Sequence, residues 1–147
     1  MKKFLTALAL FAFGSAAMAV EVGVSAARDA NLDQDGTRVT LAAGKVLGVT
    51  PQLSVTNVNN VYTRYAAGAE AGLFKVGPVK VSATGAAVYQ DTAGSGANGY
   101  GLTAGVKAVL PLTKNIDATA GVERFYGQDR VNGFNGSVAT VGIVARF

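Results

Sequence analysis

Apolar and polar residues alternate with a period of two through most of this chain, from Val20 to Phe147. Near the carboxy terminus, for example, Val141 and Ile143 fall on one face while Thr140 and Gly142 fall on the other. Successive side chains of a β-strand point to opposite faces, so this alternation predicts strands. The 19 glycines disfavour long helices. No apolar run after Ala19 is long enough for a transmembrane helix.

Eight segments carry the alternation, and the third is the least regular. The predicted strands are 20–28, 37–47, 52–58, 64–76, 79–90, 100–110, 116–126 and 137–147. Lys45 and Lys75 fall on the apolar faces near strand ends. Either these long side chains reach round to a polar region, or a β-bulge changes the face on which they lie.

The connections between the predicted strands alternate in character. Three are tight turns, at 48–51, 77–78 and 111–115, and four are longer polar loops, at 29–36, 57–63, 91–99 and 128–133. This alternation predicts an all-β fold, an eight-stranded antiparallel up-and-down barrel with both termini at one end. Short turns on one side and longer loops on the other are typical of transmembrane β-barrels.

The amino terminus has the three regions of a secretory signal peptide in order. Lys2 and Lys3 precede the apolar segment 4–13, and Ala17-Met18-Ala19 has the small-x-small form that signal peptidase accepts. A short membrane anchor or a buried helix is the alternative. We expect a cleaved signal peptide at 1–19 and one barrel domain at 20–147.

Composition removes several functions. The chain has no His and no Cys, which excludes Ser-His and Cys-His hydrolases, cysteine zinc sites and disulfides. Lys2 and Lys3 account for two of the 13 basic residues, so the predicted mature chain is only slightly basic. Its basic residues are scattered singly, whereas a nucleic-acid reader needs a clustered basic face. We therefore expect no nucleic-acid partner.

The two strand faces differ in a way that favours a membrane barrel over a soluble one. The apolar face carries Val, Leu, Ile and Ala, while the polar face carries Gly, Ser, Thr and nearly balanced charges, which suits a narrow ion-paired interior. The candidate lumen ion-pair residues are Glu21, Arg38, Glu70, Lys80, Lys107, Asp117, Glu123 and Arg146. A soluble carrier resembling a lipocalin would show the opposite arrangement and an apolar cavity.

Aromatic residues cluster near the predicted strand ends. The candidates for an aromatic girdle towards the longer loops are Tyr65, Tyr89, Tyr100 and Tyr126, with Phe147 at the opposite rim. Aromatic girdles mark the two interfaces of membrane barrels. The alternative is that Tyr and Phe simply favour strands.

The last strand ends in a recognisable pattern. Its alternating apolar positions and terminal Phe look like the carboxy-terminal signal read by the outer-membrane assembly machinery: Ala139, Val141, Ile143, Ala145 and Phe147. With the signal peptide and the strand count, the chain resembles the small eight-stranded outer-membrane barrels of the OmpA/OmpX type. The resemblance implies location in the outer membrane, contact with its lipid and lipopolysaccharide, and escort by periplasmic chaperones to the barrel assembly machinery. The loops are much shorter than the OmpX-type hairpins associated with adhesion.

Three local motifs suggest sites but have simpler explanations. Segment 31–36 resembles the start of a calcium loop, yet position twelve is Ala42, where a bidentate Glu is needed. Segment 94–99 lacks the lysine and the helix of a phosphate-binding loop. Arg124 and Arg130 lie near the outer rim and could meet lipopolysaccharide phosphates, or could be ordinary solvated charges. We predict no metal or cofactor.

These observations favour a non-enzymatic outer-membrane protein with a structural role in envelope integrity. A narrow pore for water or small ions is the main alternative, because small lining residues leave some space inside an eight-stranded barrel. Binding or adhesion by the surface loops is a third hypothesis. An enzyme acting on lipid A is disfavoured, since the barrel deacylases use a Ser-His pair and this chain has no His. Asp117 and Glu123 are ~20 Å apart along one strand, too far for a glycosidase pair from this strand alone.

Overall fold

The computed structural model describes residues 19–94 and 96–147, so the predicted signal peptide lies outside the described residues except for Ala19. Eight antiparallel strands form a closed barrel in which each strand pairs with its chain neighbours and the last pairs with the first. The strands are β1 (Glu21–Asp29), β2 (Gln34–Ala42), β3 (Val49–Val58), β4 (Tyr62–Val76), β5 (Val79–Thr92), β6 (Gly99–Pro111), β7 (Ile116–Gly127) and β8 (Gly136–Arg146). The predicted eight-stranded antiparallel up-and-down β-barrel is confirmed.

The two ends of the barrel carry different connections. The loop end carries residues 30–33, 59–61, 93–98 and 128–135, the last of which includes a 3₁₀ helix (Asp129–Phe134). The terminal end carries residues 43–48, 77–78 and 112–115 together with both chain ends. There the backbone N–H of Phe147 donates to the carbonyl of Val20 at 2.9 Å.

The predicted contrast between short turns and long loops is largely absent. Ladder pairing continues into polar segments, as between Asp29 and Gln34 and between Val58 and Tyr62. Backbone groups pair regardless of side-chain polarity, so the strands at the loop end extend further than the apolar pattern does. Two of the loops therefore shrink to three or four residues.

The first predicted tight turn also differs from the structure. Strand β2 ends at Ala42 rather than at residue 47, and β3 begins at Val49, inside the turn predicted at 48–51. Lys45 therefore lies in a connection and not on a strand face. Lys75 is on β4, but the register shifts between Gly72 and Phe74. This bulge brings Lys75 opposite Lys80, on the polar face.

The apolar face of the sheet points outward. Val24, Val141 and Ile143 are more than half exposed on the outer surface. The lumen has two parts: ion pairs cross its middle and line its terminal end, and a small apolar cluster of Val88, Phe125 and Val131 fills its loop end. Among the described residues, no helix is long and apolar enough to cross a bilayer.

Candidate functional site in the lumen

One ion pair crosses the middle of the lumen. Nη2 of Arg38 on β2 donates to Oε2 of Glu123 on β7 at 2.8 Å, and Nε of Arg38 donates to the hydroxyl of Thr56 at 2.7 Å. The two charged side chains are only 14% and 17% exposed. Since β1 and β8 separate their strands, the contact requires a closed barrel.

Glycine makes room for the Glu123 side chain. A Cβ at Gly105, directly opposite Glu123 in the ladder, would lie 2.3 Å from the carbonyl oxygen of Val122 and 2.7 Å from Cγ of Glu123. At Gly101 a Cβ would lie 2.5 Å from the ring of Phe125. The small residues of the polar face therefore admit the large inward side chains of β7.

Two further charge clusters lie towards the terminal end. Nζ of Lys107 on β6 pairs with Oε2 of Glu70 on β4, and the guanidinium of Arg146 on β8 pairs with both Asp117 and Glu21, the latter at 3.3 Å. The structure thus brings seven of the eight candidate lumen residues into ion pairs. Lys80, the eighth, forms no ion pair with a described residue and is exposed at the terminal end.

The loop end is closed by a stack that the candidate residues did not include. The guanidinium of Arg64 lies between two aromatic rings, 4.0 Å from the centroid of Tyr62 and 3.9 Å from that of Phe125. It also donates to Oε1 of Gln90 at 2.8 Å and to the carbonyl of Phe134 at 3.2 Å. Tyr62 and Gln90 are fully buried, so this stack occupies the lumen.

Asp29 ties the stack to the first loop. The hydroxyl of Tyr62 donates to Oδ2 of Asp29 at 2.6 Å, while Oδ1 accepts the backbone N–H groups of Asn31 and Leu32. Sequence reasoning placed Asp29 and Tyr62 in loops. Asp29 is two residues after the inward-facing Ala27, and Tyr62 is two residues before the inward-facing Arg64. Extending the period of two by one step is the sequence signal that could have placed both side chains in the lumen.

The 3₁₀ helix packs over the same end. Its Val131 is fully buried against Val88 and Phe125, and its Phe134 contacts Tyr62 edge to face, with ring centroids 6.3 Å apart. Oδ1 of Asn135 accepts the backbone N–H of Gly127, which fixes the segment to β7. The fourth loop therefore acts as a cap over the stack.

The space that remains in the lumen is unevenly distributed. Two cavities of about 10 and 40 Å³ lie beside Arg38 and Glu123. One water needs about 10–15 Å³, so the smaller cavity has room for about one water and the larger for about three. A larger cavity of about 270 Å³ lies at the terminal end, lined by Glu70, Asp117 and Arg146 among others. The lumen is thus tight at its loop end and wide at its terminal end.

The candidate girdle residues form a row on the outer surface. Tyr65, Tyr89 and Tyr100 are successive ladder partners on β4, β5 and β6, and the rings of Tyr89 and Tyr100 lie 5.1 Å apart. Tyr126 on β7 is half exposed and lies opposite Leu102. All four lie towards the loop end, and Phe147 lies at the terminal end, 79% exposed.

The carboxy-terminal pattern lies on the outer face of β8. Ala139, Val141, Ile143 and Phe147 are exposed there, and Ala145 is half-buried. Arg124 is also on the outer surface, with its guanidinium 5.7 Å from the ring of Tyr126. Arg130 is exposed on the 3₁₀ helix. Neither Arg124 nor Arg130 forms an ion pair with a described residue.

The acidic side chains of the segment that resembles a calcium loop share one basic partner. Arg28 pairs with Asp33 and with Asp35, the latter at 2.9 Å. No group of three or more potential metal ligands occurs among the described residues. These contacts agree with the simpler interpretation of residues 31–36 as an acidic surface loop.

No protein-family model matches the chain, and no curated protein matches it in sequence. Several solved structures do match. The N-terminal β-barrel domain of OprF from Pseudomonas aeruginosa has a TM-score of 0.69 and 16% identity, covering 88% of this chain and 97% of that one. A major outer membrane protein from Thermus thermophilus has a TM-score of 0.64 and 15% identity, covering 89% and 100%.

The outer membrane protein Ail from Yersinia pestis, in a phospholipid nanodisc, has a TM-score of 0.60 and 10% identity, covering 88% of this chain and 99% of that one. At such low identity these likenesses show the fold. The predicted resemblance to small eight-stranded outer-membrane barrels is confirmed at that level.

Proposed function

We propose that this protein resides in the outer membrane as a closed barrel and serves envelope integrity as a structural element. The observation that carries the proposal is the lumen itself. Ion pairs cross its middle, and the Arg64 stack and the fourth loop fill its loop end. A barrel filled in this way stabilises its own wall and leaves little room for a solute to pass through it.

The membrane location is supported by the inverted arrangement of the two faces. Aliphatic side chains cover the outside, and the charged side chains of the strands turn mainly inward. A bilayer offers no water to backbone groups, and a closed barrel satisfies all of them between strands. The tyrosine row would lie at one interface and Phe147 at the other, with the loop end facing outward from the cell.

A narrow pore is the second candidate, and two adjoining cavities in the lumen favour it. Glu70 lines the terminal-end cavity and Lys107 lines the central cavity of about 40 Å³, so their ion pair separates the two spaces. Breaking that pair would join them. The Arg64 stack would still close the route at the loop end.

Planar-bilayer conductance of the purified protein, beside a Lys107→Ala variant, distinguishes the two functions. A structural barrel is silent in both forms although both show heat-modifiable migration, the gel shift of a folded barrel. Steady discrete openings that change in the variant would establish a pore and overturn the structural proposal. Adhesion has less support, because the loops have only three to eight residues.

Export and partners follow from the same proposal. Residues 1–19 would be removed as a signal peptide, and mass spectrometry of the mature protein should then find Val20 at its amino terminus. Outward-facing Arg124 and exposed Arg130 would contact lipopolysaccharide phosphates beside the tyrosine row. Folding would use periplasmic chaperones and the barrel assembly machinery, which would read the terminal pattern of β8. We propose that the protein is not an enzyme and binds no cofactor.

A further inference from the structure

Three lysines converge on the terminal-end cavity from neighbouring elements. Lys45 lies in the connection between β2 and β3, Lys75 near the end of β4 and Lys80 near the start of β5. All three line the cavity of about 270 Å³. The first is placed there by the early end of β2, and the second by the bulge before Phe74.

These lysines are not neutralised by the acidic residues around them. None of the three forms an ion pair with a described residue. The acidic side chains that line the cavity already have cationic partners: Glu70 pairs with Lys107, and Glu21 and Asp117 pair with Arg146. The five basic side chains of this region therefore exceed its three acidic ones by two.

The arrangement includes an unfavourable cross-strand pairing that a ligand would relieve. Lys75 and Lys80 are direct cross-strand partners, and like charges opposite each other destabilise a strand pair. An anion between them converts this repulsion into two charge-assisted hydrogen bonds. The ammonium groups of lysine are common ligands of phosphoryl oxygens.

Asp117 limits where an anion can lie. Asp117 lines the same cavity, and its buried Oδ1 has no hydrogen-bond partner among the described residues, so this carboxylate repels a nearby negative group. Asp117 belongs to β7, however, whereas the lysines lie in the β2–β3 connection, in β4 and in β5. An anion is thus accommodated on the lysine side of the cavity, away from β7.

We infer that Lys45, Lys75 and Lys80 form a binding site for a phosphate group at the terminal mouth of the barrel. Two sources offer this chemistry. If the barrel spans a membrane as proposed above, the mouth lies at the level of lipid headgroups, and an anionic phospholipid can supply the group. A soluble phosphate can also enter from the open side, and this source does not depend on the proposed function.

The test uses the protein purified in octyl glucoside, a detergent without phosphate. Lysines are dimethylated with ¹³C, which keeps their charge, and their NMR signals are followed during titration with inorganic phosphate. Sodium chloride at equal ionic strength serves as the comparison. Lys45→Gln, Lys75→Gln and Lys80→Gln assign the three signals. Lys114→Gln is the matched control, because Lys114 is exposed at the same end but does not line the cavity.

We expect phosphate to shift the signals of Lys45, Lys75 and Lys80 together and saturably, while Lys114 stays unchanged. Removing one of the three should weaken binding at the other two by about tenfold, the effect of one charge-assisted hydrogen bond. Shifts that do not saturate, that include Lys114 equally, or that chloride reproduces would reduce the effect to ionic screening and overturn the inference.

Nanodiscs then identify the source. If the signals are already at their bound positions in phosphatidylglycerol discs, and free phosphate causes no further change, the lipid headgroup supplies the anion. If the signals titrate with free phosphate in the same discs, the site takes a soluble phosphate. Both results support the site. Because the detergent titration needs neither a bilayer nor a conductance measurement, failure of this inference is distinguishable from failure of the proposed function.

Discussion

Arg38 and Glu123 meet across the lumen, with Nη2 to Oε2 at 2.8 Å, although they lie 85 residues apart and two strands separate β2 from β7. Only closure of the barrel brings them together. Their ion pair therefore stabilises the closed form specifically, in contrast to a cross-strand pair, which any open sheet could make.

Glu123→Gln should lower the free energy of unfolding by about 2–4 kcal/mol, between the effects known for exposed and for buried pairs, because Arg38 is left without its counter-charge. Urea unfolding in lipid vesicles, followed by circular dichroism, measures it. Asp35→Asn breaks an exposed ion pair with Arg28 and is the matched control, with no measurable loss expected. Equal stability of the two variants would contradict a structural role for the lumen pair.

Gly105→Ala should cost about 1–3 kcal/mol, the usual range for overpacking. The added Cβ would lie 2.3 Å from the carbonyl of Val122, a backbone atom that cannot rotate away. Gly72→Ala is the control, since a Cβ there has no heavy atom within 4 Å. The same unfolding measurement decides, and a Gly105→Ala barrel as stable as the Gly72→Ala barrel would show that the lumen can relax.

Arg64→Lys should destabilise the loop end by about 1–3 kcal/mol. Lysine cannot stack its charge flat between Tyr62 and Phe125 while also bonding to Gln90. Hydrogen exchange should show faster opening of the backbone N–H groups near Phe134. The same substitution at Arg124, which lies outside the barrel beside Tyr126, should leave exchange unchanged. If Arg64→Lys also leaves it unchanged, the stack does not hold the cap in place.

Much of this fold could be predicted from the sequence, because a period of two fixes the two faces of each strand. The inward positions of Arg38, Lys107 and Glu123 follow directly from it. Their partners do not, since the pairing depends on the stagger between strands around the closed barrel. No single strand contains that information.

Aromatic and lysine residues were harder to assign for a different reason. Tyr62 and Phe125 have an apolar character that suggests the lipid side, but they face inward in phase with Arg64 and Glu123. There the Arg64 guanidinium lies between their rings. For Lys75 the cause is the bulge between Gly72 and Phe74, which reverses the parity of the strand. The sequence placed Lys75 on the apolar face and left two explanations open, a bulge or a long side chain reaching round to a polar region. The lysine cluster at the terminal end therefore appears only in three dimensions.

Phe147→Ala should reduce insertion in cells without preventing refolding into detergent. The ring is exposed at the rim, while the hydrogen bond to Val20 uses only the backbone of residue 147. The proposed assembly signal would therefore lose its terminal aromatic with little loss of barrel stability. Folded protein in the outer-membrane fraction is compared with refolding yield in vitro. A parallel fall in both quantities would mean that Phe147 acts on stability instead.

Val141→Arg separates a membrane barrel from a water-soluble one. Val141 lies in the middle of β8, 66% exposed on the outer face, with ladder partners Ala26 and Ala120. In a bilayer, arginine at mid-depth on the lipid face costs about 2–4 kcal/mol, and near the interface about 0–1 kcal/mol. In water the same exposed position tolerates arginine, because the guanidinium remains hydrated.

Leu112→Arg, in the turn at the terminal end, is the matched control. We expect Val141→Arg alone to lower the stability measured in lipid vesicles. Equal, small effects at both positions would show that the outer face does not contact lipid, and the membrane location would have to be abandoned.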